Sequence, residues 1–132
     1  MKDRLLSYSL VAVIAIAVVN AIATYFYLYW TVWWFDNISH FLGGLAMGLF
    51  TFWIFRRGYP LFQPLGWVRL VSVIIFFVLI IGVGWEIFEY LFDLAEAQIG
   101  ETYWQDTAYD IVADTLGAIV ASIIIYKKKL YE

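Results

Sequence analysis

The sequence predicts an all-α, polytopic membrane protein, a bundle of four transmembrane helices with both termini cytoplasmic. Three observations predict it. Hydrophobic residues fill 64% of the 132 positions and charged residues only 14%. A soluble domain of that length cannot bury so much apolar surface. Four apolar stretches reach the roughly 20 residues a helix needs to cross a bilayer. Finally, every Lys and Arg falls in segments that four spans leave on one side, and the positive-inside rule makes that side cytoplasmic. The chain reads as a single transmembrane domain over 1–132 in the plasma membrane.

The first span is expected from Leu5 to Tyr29 and carries Asn20 and Thr24. Lys2 and Arg4 ahead of an apolar run, with Ala21-Ile22-Ala23 behind it, also fit a cleavable signal peptide. The apolar stretch continues through Tyr25, Phe26, Leu28 and Trp30, which favours a retained span. Cleavage would leave three spans in the same orientation. The second span is expected over Ile38–Phe55, the third over Val68–Leu91 and the fourth over Tyr109–Tyr126. Glu86 and Glu89 sit in the last turns of the third, and Asp110 and Asp114 near the start of the fourth. Those two spans are apolar only if their acids face inward.

The basic residues are Lys2, Arg4, Arg56, Arg57, Arg69, Lys127, Lys128 and Lys129. The connections Trp30–Asn37 and Phe92–Thr107 contain none. Tyr27, Tyr29, Trp30, Trp33, Trp34, Tyr103 and Trp104 are expected to form an outer aromatic belt, and Trp53, Tyr59, Trp67 and Tyr126 an inner one. Gly58-Tyr59-Pro60 and Pro64-Leu65-Gly66 signal turns in the cytoplasmic connection. Gly44 with Gly48, and Ala113 with Gly117 and Ala121, are small-residue repeats that let helices approach closely in lipid. The absence of Cys excludes a disulfide framework and a thiolate metal site. No basic and aromatic pattern points to nucleic acid. The partners implied are membrane lipids and a lipid-linked small molecule, and an oligomer is compatible with the sequence.

Helical spacing puts the acids on stripes. Asp36, His40 and Gly44 share one face; so do Gly82, Glu86, Glu89 and Asp93, and likewise Asp106, Asp110 and Asp114. Lipid penalises such groups, so the stripes should face one another. At ~1.5 Å rise per residue from the nearest basic residue, His40, Glu86, Asp110 and Asn20 all lie roughly 24–25 Å up. Asp36, Glu89 and Asp106 lie about one turn higher, and Asp114 about 20 Å up. All four helices therefore deliver polar groups to one layer.

Asp36, Glu86, Glu89, Asp106, Asp110 and Asp114 make six carboxylates with no Lys or Arg on their side. Crowded, partly desolvated carboxylates need compensation by protons, metal cations or a cationic ligand. A divalent metal fits best: carboxylates suit Mg, Ca or Mn, and an added imidazole admits Zn or Fe. Inward carboxylates and His on facing helices are a known way to build two-metal sites. His40, Glu86, Glu89, Asp110 and Asp114 are the expected metal ligands. Asp36 and Asp106 are the expected catalytic carboxylates, although each also fits a helix N-cap. Asp93, Glu96 and Glu101 read as solvated.

These residues resemble a known family. Asp36-Asn37-Ile38-Ser39-His40-Phe41 with Gly43-Gly44, Glu86-Ile87-Phe88-Glu89, Asp106-Thr107-Ala108-Tyr109-Asp110 and Asp114-Thr115-Leu116-Gly117-Ala118 look like the VanZ-like superfamily of small membrane proteins. The Asp-Thr-x-x-Asp element looks most like its YjdF-like branch. The resemblance covers residues 36–121 and omits the first helix. Many VanZ-like members carry Asn where this chain has Asp114. The name-giving member is associated with glycopeptide resistance, but the family's activity is poorly defined. The resemblance implies the fold and the cluster rather than a reaction.

Three functions fit the sequence. The first is a metal-dependent membrane enzyme acting on a lipid headgroup or lipid-linked substrate, with two metals activating water and a spare carboxylate as general base. Leu94–Gln105 would then be an interfacial lid. The second is cation or proton transport, which needs polar groups across the whole membrane. Below the acids the chain offers only Thr51, Ser72, Thr115 and Ser122. The third is a non-enzymatic protein with a structural ion site.

Overall fold

A computed structural model describes residues 4–58, 66–92, 102–128 and 130. The chain folds into α1 (Arg4–Tyr25), a single turn α2 (Leu28–Thr31), α3 (Phe35–Gly58), α4 (Trp67–Leu91) and α5 (Tyr103–Lys127). α1, α3, α4 and α5 are each long and apolar enough to cross a membrane. Their outer faces match that environment: Val11, Val68, Phe76 and Leu91 are all exposed. The protein is an integral membrane protein with four candidate spans.

The first stretch does not run as one helix from Leu5 to Tyr29. α1 stops at Tyr25, and Tyr27 adopts a left-handed backbone conformation (φ 56°). A residue with a Cβ pays about 1–2 kcal/mol to sit there. The turn swings α2 back, and the Tyr29 hydroxyl bonds Asn20 of α1 and Ser39 of α3, the latter at 2.7 Å. Those bonds offset the cost of the turn.

α3 begins at Phe35, so Asp36 lies in its first turn rather than capping it. α5 begins six residues before the expected Tyr109. Thr102 and Gln105 form a capping box: the Thr102 hydroxyl accepts from the Gln105 amide and Gln105 Oε1 accepts from the Thr102 amide at 3.0 Å. That reciprocal pair satisfies two otherwise orphaned donors and starts the helix there. Asp106 is therefore inside the first turn and is not the cap. Thr102–Gln105 open a spanning helix rather than forming the end of a lid; 94–101 lie outside the described residues, as do the turn signals at 59–65, the solvated acids Asp93, Glu96 and Glu101, and Lys2, Lys129 and Tyr59.

α3 and α5 form the central pair, with α1 against α3 and α4 against both α3 and α5. The small residues decide this. A Cβ on Gly44 would overlap the main chain of Asp114, and one on Gly117 would overlap the main chain of Phe41 and Leu45. A Cβ on Gly48 would lie 2.8 Å from that of Ala121. Backbone approach of this kind replaces hydrophobic association, which lipid does not supply. Leu5, Leu49, Phe52, Leu70, Ile74, Ile125 and Leu130 pack into one apolar cluster. It lies at the end that carries Arg4, Arg56, Arg57, Arg69 and Lys127, where Arg56 donates to the Leu130 carbonyl at 2.8 Å and Trp67 meets Tyr126 edge-on. The acids occupy the other end.

Candidate metal centre

The acid stripes on α3, α4 and α5 converge. His40, Glu86, Asp110 and Asp114 are all buried, with Glu86 only 5% exposed. The His40 ring lies at the middle. Its Nε2 is 3.8 Å from Asp36 Oδ2 and 3.7 Å from Asp110 Oδ1, and its Nδ1 is 3.6 Å from Asp114 Oδ1. These separations exceed a good hydrogen bond, yet they match the spacing of atoms that share one ion at ~2.0–2.2 Å. Asp36, His40 and Asp110 offer ligand atoms within 4.8 Å of one another, and His40, Glu86 and Glu89 do the same. His40 belongs to both sets.

Glu86 supplies the independent sign of a cation. Its Oε2 accepts from Thr107 Oγ1 at 2.7 Å, but Oε1 is buried with no hydrogen-bond partner among the described residues. Buried carboxylate oxygens are rarely left so, because desolvation without a partner is costly. A metal ion in the His40–Glu86–Glu89 set is the partner that the donor chemistry fits.

Neighbouring residues hold the acids in place. Tyr103 donates to the Glu86 main-chain carbonyl at 3.0 Å, and Trp85 lines the cavity beside Glu89. Gly82 leaves room for Asp114: a Cβ there would fall 2.5 Å from its Oδ2. The hydroxyls of Tyr29 and Tyr103 thus brace helices around the site. Thr107, Ser39 and Trp85 were not expected in the site. Thr107 and Ser39 had a sequence signal, since Thr107 lies within the Asp-Thr-x-x-Asp element and Ser39 within Asp36-Asn37-Ile38-Ser39-His40.

In front of the acids lies a cavity of about 570 Å³, within the size range of small-molecule sites. Asp36, His40, Glu89, Asp106 and Asp114 line its polar end, and Asn20 joins them from α1. The structure thus brings together all of the expected site residues, with Asp36 in a ligand set and Asp106 on the cavity wall. Toward the basic end the buried polar side chains among the described residues are the hydroxyls of Ser9, Thr51 and Ser122. Thr115 and Ser122 turn their hydroxyls onto their own helix, bonding the carbonyls of Ile111 and Ala118 at 2.8 Å each.

No curated protein and no solved structure matches the chain. A family model matches residues 3–129, nearly the whole length, and the chain belongs to that family, described as "Predicted membrane protein (DUF2238)".

Proposed function

We propose that the protein is a metal-dependent membrane enzyme whose divalent-metal centre lies near the outer surface of the plasma membrane and acts on a lipid headgroup or lipid-linked substrate. Both termini are then cytoplasmic, as the one-sided basic residues imply. The observation that carries the reading is Glu86 Oε1, buried and unpartnered beside His40 and Glu89. His40 Nε2 with Asp36 and Asp110 would hold one ion, and Glu86 with Glu89 a second nearby. Asp114, on the Nδ1 side of His40, fits the carboxylate that fixes a metal-bound imidazole better than it fits a ligand. Asp106, on the cavity wall, would act as general base. Mg, Mn and Ca suit the oxygen-rich set, while the imidazole also admits Zn or Fe.

When bound, the metal supplies Lewis acidity and a more acidic water. The chain's own part is to orient that water, take up its proton at a carboxylate and hold the headgroup. The kinship with the VanZ-like superfamily and its YjdF-like branch is part of the proposal and rests on the motif residues alone. A transport reading is less well supported, because the apolar cluster of Leu49, Phe52, Leu70 and Ile125 lies between the acids and the basic end.

The test is metal analysis of purified protein alongside Glu86→Gln and Asp110→Asn. The reading expects stoichiometric divalent metal in the parent and its loss in both variants, each still folded. Folded parent protein that takes up no divalent metal would overturn it.

A further inference from the structure

The cavity is larger than the metal centre needs, and its lining changes along its depth. At the polar end Tyr29, Trp30 and Trp85 stand among the carboxylates. Farther down the wall is Ile16, Met47, Val78 and Ile81. Along their helices, Val78 is about 12 Å below Glu86 and Met47 about 10 Å below His40. Met47 also lines a second cavity of about 170 Å³, with Leu6, Leu10, Val13 and Phe50. This second apolar cavity between α1 and α3 thus adjoins the first at Met47 and lies nearer the basic end. Leu6 is about 21 Å below Asn20, deeper than one leaflet of a hydrocarbon core ~30 Å thick.

The cavity also has an open flank. Among the described residues, α1 packs along α3, and no packing of similar extent joins it to α4. Ile81 and Trp85, on the α4 wall, are 44% and 51% exposed. Both helices are membrane spans, so this gap faces the acyl chains of surrounding lipid.

Charge selects the headgroup. Asp36, Glu89, Asp106 and Asp114 line the cavity, and Glu86 and Asp110 are buried. Two divalent ions would offset at most four of the charges these carboxylates carry when ionised, and Asp106 stays on the wall as an acceptor outside both ligand sets. Carboxylates beside aromatic faces favour an ammonium group. Asn20 adds a donor: its Oδ1 already accepts from Tyr29 and Ser39, which leaves the amide hydrogens for a phosphate.

We infer that the substrate is an amine-bearing membrane phospholipid that enters sideways between α1 and α4, its ammonium on the cavity carboxylates near Trp30 and Trp85 and one acyl chain in the α1–α3 groove at Met47. The inference rests on the proposed metal centre for neutralising Asp36, Glu86, Glu89 and Asp110, of which Asp36 and Glu89 line the cavity.

The test titrates delipidated protein with short-chain phosphatidylethanolamine and, separately, with phosphatidylglycerol of the same chains, reading bound lipid by native mass spectrometry. Metal content is measured on the same samples. The expected result is at least tenfold tighter binding of the ethanolamine lipid. Met47→Trp, which fills the groove, should weaken that binding about tenfold with metal content unchanged. Val13→Trp serves the same purpose if Met47→Trp does not fold. Equal binding of the two lipids, or preference for the glycerol lipid, would overturn the inference, as would undiminished binding in a folded groove variant. Ethanolamine preference in protein that binds no metal would sink the metal centre and leave the lipid site standing. Metal without lipid preference would do the reverse.

Discussion

Gly82→Ala should damage the metal centre without touching any of its acids. A Cβ at Gly82 would fall 2.5 Å from Asp114 Oδ2 and 3.5 Å from its Cγ, while ordinary contact begins at 3.4 Å. The Asp114 carboxylate must therefore retreat by about 1 Å. The displacement lengthens the 3.6 Å approach to His40 Nδ1 and frees the imidazole to rotate. Loss of such a supporting carboxylate contact costs roughly 10–100-fold in metal affinity. Helix propensity works in the variant's favour by about 1 kcal/mol, so a fall in affinity is not a fall in helix content. Gly84→Ala is the matched control, because nothing lies within 4 Å of its added Cβ. Chelator competition on purified protein reads the affinity, and circular dichroism the helix content. Wild-type affinity in Gly82→Ala, or an equal loss in Gly84→Ala, would refute the reasoning.

Thr107→Val removes the 2.7 Å donor to Glu86 Oε2, and calorimetric titration should show metal binding at least tenfold weaker with the helices intact. Gly44→Ala forces α3 and α5 apart at Asp114 and should destabilise the bundle by about 1–3 kcal/mol or more, measured by denaturant titration in detergent. Tyr29→Phe deletes the hydroxyl that joins Asn20 to Ser39; it should cost about 0.5–1.5 kcal/mol in the same assay and leave metal content unchanged. A C-terminal green fluorescent protein fusion should fluoresce, and a C-terminal alkaline phosphatase fusion should be inactive, if the Lys127–Lys129 end is cytoplasmic.

The spans and the converging acids were legible because both rest on simple periodicities. Apolar length marks a span, and steps of three and four mark a face. Gly44, Gly48 and Gly117 were readable as close-packing positions for the same reason. The ends of the helices were less so. The first span was drawn through Tyr27 because composition there stays apolar; the left-handed turn depends on Tyr29 finding partners nine and ten residues away, which no local signal records. Apolar length starts the fourth span at Tyr109, whereas the Thr102–Gln105 capping box starts α5 ahead of it. Tyr103 and Tyr29 were read as interfacial rings, since an aromatic residue near a span end is usually that. Only tertiary packing aims their hydroxyls at Glu86 and Asn20. The open flank between α1 and α4 is a property of helix arrangement and has no counterpart in the sequence.

The account's central claim is that His40 and the buried acids share a divalent ion. Mn²⁺ added to metal-free protein and examined by pulsed electron paramagnetic resonance tests it directly. The chain contains one His, so an imidazole ¹⁴N coupling in protein without an affinity tag can come only from His40. The account predicts that coupling in the parent and its disappearance in His40→Gln. Bound Mn²⁺ with no ¹⁴N coupling in the parent, or a coupling that survives His40→Gln, would contradict it.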